Sequence, residues 1–309
     1  MRISRRQWMA LAAAAPLAAQ GQGPKPLKIS IFSKHLQFLD VAGMAVAAKE
    51  AGADGIDFAV RKGAHILPER VKEELPGAVD TLRKAGLEVP MLTTAIVDAT
   101  TPHAETILRT AASLGIRHYR WGDMRYNAVQ PIPEQLEAMK PRVKALADLN
   151  RELGMCGMYH THSGQNEVGA SIWDLWLLFK DHDPKYISAN LDVAHATVEG
   201  GLGGWLHSTR LILPYTRGTA IKDFVWAKNA KGGWAPQWCP LGEGMVDWPR
   251  YCSMLKAARF DGPVQMHYEY PLGGADHGNR QITVDRATVI TAMRKDIEKL
   301  RGWFKEASL

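Results

Sequence analysis

Cysteine is scarce in this chain. Only Cys156, Cys239 and Cys252 occur among 309 residues, and no two of them form a CxxC pair. That excludes a disulfide framework and a cysteine-based zinc site, while a single bridge remains open. Basic blocks are also lacking. The net charge of +6 comes in part from Arg2, Arg5 and Arg6, and no Lys/Arg-rich run appears further on. Nucleic acid therefore has no electrostatic footprint to bind, and no nucleic-acid partner is expected. The apolar stretch from Ala10 to Ala19 is too short to span a bilayer. A glycine-rich phosphate loop is missing as well: Ser30-Ile-Phe-Ser-Lys-His35, behind the first apolar run, contains no glycine. This argues against a doubly wound dinucleotide fold.

What is present begins with an address. Ser4-Arg5-Arg6-Gln7-Trp8-Met9 followed by Ala10–Ala19 reads as a twin-arginine export signal. Residues 1–23 are assigned to it, with cleavage between Ala19 and Gly23. The mature protein is expected in the periplasm, without membrane contact after cleavage. The twin-arginine route carries folded proteins, which suits a protein that acquires a metal before export.

The 309 residues are 46% hydrophobic and 23% charged, ordinary globular composition. Strand-like and helix-like segments alternate from Lys28 to Trp303. Strands are expected over 28–32, 56–60, 87–94, 116–121, 155–162, 186–191, 216–224 and 262–268. Helices are expected over 40–51, 69–86, 104–114, 133–153, 171–180, 205–213, 247–258 and 283–303. Eight such units, recurring at roughly 25 to 40 residues, predict a parallel sheet closed into a single (β/α)8 TIM barrel over residues 27–303. Gly52, Gly86, Gly115 and Gly154 stand where helices should end.

Histidines and acids gather at the C-terminal ends of the expected strands, where such barrels hold their chemistry. His160 and His162 share one face of the fifth strand, and His267 and Glu269 one face of the eighth. Asp192 and His195 close the sixth. A carboxylate with imidazoles suits Mn, Zn, Fe or Co, and equally suits general-base work. A helix-capping Asp192 beside a buried His195 is the plainer alternative. Thr197–Gly201 is expected as a flexible loop over the site. Arg61 and His65, after the second strand, can hold substrate hydroxyls or carboxylates, unless Asp57 simply pairs with Arg61. Lys222, at the seventh strand, can anchor a substrate oxygen, or Lys222 and Asp223 can form a structural ion pair. Of the ten tryptophans, Trp121, Trp205, Trp226, Trp234 and Trp238 fall in or near these loops. Each alone is read as core filling, with Lys228–Gly233 as an exposed loop tip.

At these residues the chain resembles the sugar phosphate isomerase/epimerase family, with its xylose-isomerase-like barrel. The carrying stretches are Ala53-Asp-Gly-Ile-Asp57, Met158-Tyr-His-Thr-His-Ser-Gly164, Leu191-Asp-Val-Ala-His195, Ile221-Lys-Asp223, Pro240–Asp247 and His267-Tyr-Glu269. The resemblance implies a divalent metal at the C-terminal face and isomerisation or epimerisation of a sugar. It further implies ligands from a fifth-strand Glu, a sixth-strand Asp, a seventh-strand His and an eighth-strand Glu. Asp192 matches the Asp, His195 the substrate-side His nearby, and Glu269 the last Glu. His160 replaces the fifth-strand Glu, and Ala220 stands at the seventh-strand His.

Asp192, Glu269, His160 and His195 are therefore the expected metal ligands. Glu269, His160 and His195 are the expected catalytic groups. Arg61, His65, His162, Lys222 and His267 are expected to bind a small carbohydrate. The expected reaction is isomerisation, epimerisation or keto-glycoside elimination by proton abstraction next to a carbonyl. Two alternatives stand beside it: a sugar-binding barrel that has lost the usual metal site, and a metal-free hydrolase or lyase. Family members often pair, so a homo-oligomer is possible.

Overall fold

A computed structural model of the chain describes residues 26–309; the expected export signal lies outside them. Eight parallel strands close into a barrel. They are β1 (Ile29–Phe32), β2 (Gly55–Val60), β3 (Glu88–Thr94), β4 (His118–Trp121), β5 (Cys156–His160), β6 (Ile187–Asp192), β7 (Thr216–Ile221) and, after an inserted hairpin, β10 (Val264–Met266). β1 pairs with both β2 and β10, which completes the ring. The eight α-helices among the described residues are α1 (Val41–Glu50), α2 (Val71–Lys84), α3 (Ala104–Ser113), α4 (Ile132–Leu153), α5 (Trp173–Phe179), α6 (Val193–Ile212), α7 (Trp248–Ala257) and α8 (Arg286–Ala307). None is long and apolar enough to cross a membrane.

The strand pattern explains the layering. Ile29, Ile31, Ile56, Phe58, Val60, Val264 and Met266 join one large core with the helices. The alternate residues turn into the barrel, where Met91, Cys156 and Met158 form a separate apolar plug. Above that plug the lumen is polar. Gly52, Gly86, Gly115 and Gly154 end their helices at positive φ, as expected. All three cysteines are free thiols.

Two segments differ from the sequence-based expectation. Thr197–Gly201 is not a loop: α6 begins directly at Val193, and only Gly201 (φ 54°, ψ −144°) interrupts it. The reason is Asp192, whose carboxylate accepts hydrogen bonds from the Ala194 and His195 amides and so starts the helix one residue after the strand. The expected strand 216–224 stops at Ile221. The chain then forms an antiparallel hairpin, β8 (Asp223–Lys228) and β9 (Trp234–Cys239), which stands outside the barrel. Its tip, residues 229–233, is closed by Asn229, whose side chain accepts from the Lys231 and Gly233 amides.

Candidate functional site

Strand alternation sets the lumen of the C-terminal end. It brings together Asp57, Thr93, Arg120, His160, Asn190, Asp192, Lys222 and His267, all buried. Asp192 is fixed from two sides. Its backbone amide donates to Thr161 Oγ1 at 2.9 Å, and its Oδ1 caps α6 at 3.0 and 3.1 Å. Oδ2 is left without a hydrogen-bond partner. It lies 3.8 Å from His160 Nε2 and 3.4 Å from Lys222 Nζ, the latter an ion-pair distance rather than a hydrogen bond.

Three side chains with unpartnered buried atoms converge here: His160 through Nε2, Asp192 through Oδ2 and His267 through both ring nitrogens. One ligand atom from each lies within 4.8 Å of the others. Leaving so many polar atoms buried and unpaired is costly, so their clustering points to a group that they bind. Burial, aided by the Lys222 charge, pushes both imidazoles well below the ordinary histidine range, which keeps them neutral donors. Burial raises Asp192 to about 6 against the opposing pull of Lys222. Asn190 supports the set. Its amide is 3.2 Å from His160 Nδ1, and its Oδ1 is unpartnered. The nitrogen of that amide faces the ring and donates to Nδ1; turning the amide over would bring the unpartnered Oδ1 to the ring, put the proton on Nδ1 and leave Nε2 bare toward the lumen. Gly218 leaves space for this contact, since a Cβ there would sit 3.1 Å from Asn190 Oδ1 and 2.8 Å from Met158 Sδ.

A second grouping, His160 with His162 and His195, also falls within 4.8 Å. Its atoms are already engaged. His162 Nε2 meets Arg120 Nη2 at 3.3 Å, and its Nδ1 lies 3.4 Å from Asp123. His195 holds Ser163 Oγ at 2.7 Å through Nδ1 and Lys222 Nζ at 2.7 Å through Nε2. The ligand atoms with no partner are therefore those of His160, Asp192 and His267. Glu269 and His195, expected as ligands, lie beside this set rather than in it.

Lys222 organises that neighbouring group. Its Nζ is 2.7 Å from both His195 Nε2 and Glu269 Oε2, and 4.0 Å from the Trp238 ring centroid. Lys34 reaches the other Glu269 oxygen at 3.9 Å. Burial works to raise the Glu269 pKa, but the Lys222 charge, with Lys34 adding to it, holds it well below the carboxylate range. Lys222 is thus part of the site, while its neighbour Asp223 is structural. The Asp223 carboxylate accepts from the Phe224, Gly242 and Val246 amides and from Trp248 Nε1, which pins the hairpin base.

Arg61 stands at the mouth, 5.3 Å over the Phe32 ring, and Phe32 in turn stacks on His267 at 5.1 Å. Its guanidinium makes no hydrogen bond or ion pair among the described residues. Asp57 does not pair with it; it accepts from Thr93 Oγ1 at 2.7 Å, and burial raises its carboxyl to about 7. His65 is placed elsewhere: its Nε2 contacts the Leu39 carbonyl at 3.0 Å, and its ring lies against Phe58, on the helix-facing side of β2. Sequence reasoning passed over Lys34, Arg120 and Asn190, and read Trp238 as core filling. Counting back in twos from Asp192 along β6 would have found Asn190; Lys34 lies in the 3-10 turn after β1, beyond the reach of strand alternation.

Comparison with known proteins fits this geometry. The family described as "Xylose isomerase-like TIM barrel" matches residues 45–300. This chain belongs to that family. No curated protein matches it by sequence. Among solved structures, the xylose isomerase-like barrel resembles 3-keto-D-glucoside 4-epimerase from E. coli, with a TM-score of 0.65 and 14% identity over 89% of this chain and 99% of that one. It is similar to D-allulose 3-epimerase from Methylomonas sp., in complex with D-allulose, at 0.62 and 17% over 90% and 98%. It is also similar to a xylose isomerase-like barrel from Mycobacterium smegmatis, in complex with magnesium, at 0.64 and 15% over 89% and 99%. At these identities the likeness is one of fold.

Proposed function

We propose that this xylose isomerase-like barrel is a divalent-metal-dependent enzyme that abstracts a proton next to the carbonyl of a sugar or sugar derivative. One observation carries the reading: the unpartnered atoms of His160, Asp192 and His267 meet in a buried lumen. The magnesium complex and the two epimerases of the same fold support it. Two imidazoles and a carboxylate suit Mn, Zn, Fe or Co. When bound, such an ion supplies a Lewis acid that polarises a carbonyl oxygen. Ala220 pairs with Asp192 in the sheet and offers no further ligand atom.

The chain's own residues divide the remaining work. Glu269, at the mouth, takes the proton. It is a weak base while Lys222 and Lys34 stand beside it, so substrate oxygens that draw the Lys222 ammonium away raise its basicity as they bind. His195, braced by Ser163, holds Lys222 on its other side. Arg61 and Lys34 orient substrate oxygens. With the N-terminal segment read as an export motif, the mature enzyme would act in the periplasm, where a phosphorylated substrate is not expected.

Solvent exchange tests this reading. In D2O with a panel of ketoses and keto-glycosides, the protein should exchange the proton next to the carbonyl, as read by NMR, and a chelator should stop it. Exchange that survives chelation would instead favour a metal-free lyase. Sugar binding without any exchange would favour the non-catalytic barrel that Ala220 allows.

A further inference from the structure

The hairpin after β7 carries a continuous aromatic face. Register places Phe224 opposite Trp238, Trp226 opposite Pro236 and Lys228 opposite Trp234, and cross-strand partners share a face. The face runs outward from the site. Trp238 lies 4.0 Å from Lys222 Nζ and 5.0 Å from the His195 ring, ring centroid to centroid. Phe224, wholly buried, bridges Trp238 and Trp226 at 6.2 Å to each. Trp226 is 40% exposed and Trp234, at the tip, 66%. Single exposed aromatics are ordinary, but Trp226 is linked through Phe224 and Trp238 to the lumen, and Trp234 extends the same face at the tip. An isolated two-stranded hairpin is weak, yet this one is anchored at its root. Asp223 fastens it, and Gly244 allows the fit, because a Cβ there would meet Asp223 Oδ1 at 2.1 Å.

We infer that this face is a platform for a second ring: the substrate is a glycoside whose reacting sugar enters the lumen and whose remaining sugar or aryl group lies on Trp238 and Trp226. Flat indole faces suit the apolar face of a pyranose or an aryl ring, and continuity with Lys222 places such a ring beside the reacting one. The inference rests on the carbohydrate reading above and narrows it from sugars in general to glycosides.

Calorimetry on the metal-loaded protein tests it, with glucose, cellobiose and maltose as probes. At least one disaccharide should bind about tenfold more tightly than glucose, as two aromatic contacts allow. Trp226→Ala/Trp234→Ala should remove that preference while leaving glucose affinity, metal content and melting temperature unchanged. An equal preference in wild type and variant would overturn the inference, as would no binding of any probe by protein that retains its metal. So would a dimer that the double substitution splits without altering sugar preference, since the face would then cover a second copy. Metal content, read on the same samples, separates failure of the platform from failure of the metal site.

Discussion

The two ends of the barrel make an instructive pair. The N-terminal end has a cleft of about 830 Å³, lined among others by Pro26, Leu27, Pro90, Phe260 and Leu309. Its ionic feature is the Lys28–Glu88 pair, with both side chains more than half exposed. That pair faces water. At the C-terminal end His160, Asp192 and His267 are buried, each with an atom that has no hydrogen-bond partner. The convergence of three such ligand-type side chains within 4.8 Å, rather than cleft size, distinguishes this end.

The difference can be sharpened by substitution. The largest effect is expected at the floor of the lumen: Asp192→Ala should abolish turnover and metal binding together. Lys222→Met should come next. It removes the cation between Glu269 and His195 but no atom of the proposed ligand set, so turnover should fall about 10²- to 10⁴-fold, as for a lost proton-handling group, with metal retained. Loss of the metal in that variant would merge the two groups into one.

A smaller effect is expected in stability. The buried Asp57 carboxyl is raised to about 7, against an ordinary value of 3.8. A raised pKa means that the folded state holds the proton more tightly than the unfolded state. The stability this contributes is fully present below about pH 4 and is lost as pH rises through 7. Asp57→Asn keeps an acceptor for Thr93 and has no proton to lose. Its stability relative to wild type should therefore rise between pH 4 and pH 8, by roughly 2–4 kcal/mol. Thermal melts across that range check the sign; a flat difference would place Asp57 in a wetter setting. The smallest effect belongs to the other end: Glu88→Ala should leave activity unchanged and cost about 0.5 kcal/mol or less, as exposed pairs do.

The barrel was legible because its signals are local and repeated: eight apolar runs, alternating helices, and glycines at four helix ends. The clusters at 160–162, 192–195 and 267–269 were legible for the same reason. What each histidine does was not, because that depends on which partner meets each ring nitrogen. His195 and His162 look as ligand-like in sequence as His267, yet Lys222, Ser163, Arg120 and Asp123 occupy them. The hairpin was missed although Asp-Phe-Val-Trp-Ala-Lys and Trp-Ala-Pro-Gln-Trp-Cys alternate; its tryptophans, taken one at a time, read as core. His65 follows a strand whose face was legible, but the loop carries it to the outer side.

Metal content of the mature protein tests the central claim most directly, with wild type beside Asp192→Ala, His267→Ala and His162→Ala. About one Mn, Zn, Fe or Co per chain is expected in wild type and His162→Ala, and none in the other two. Metal kept by His267→Ala and lost by His162→Ala, or no metal in wild type, would contradict the assignment of His160, Asp192 and His267.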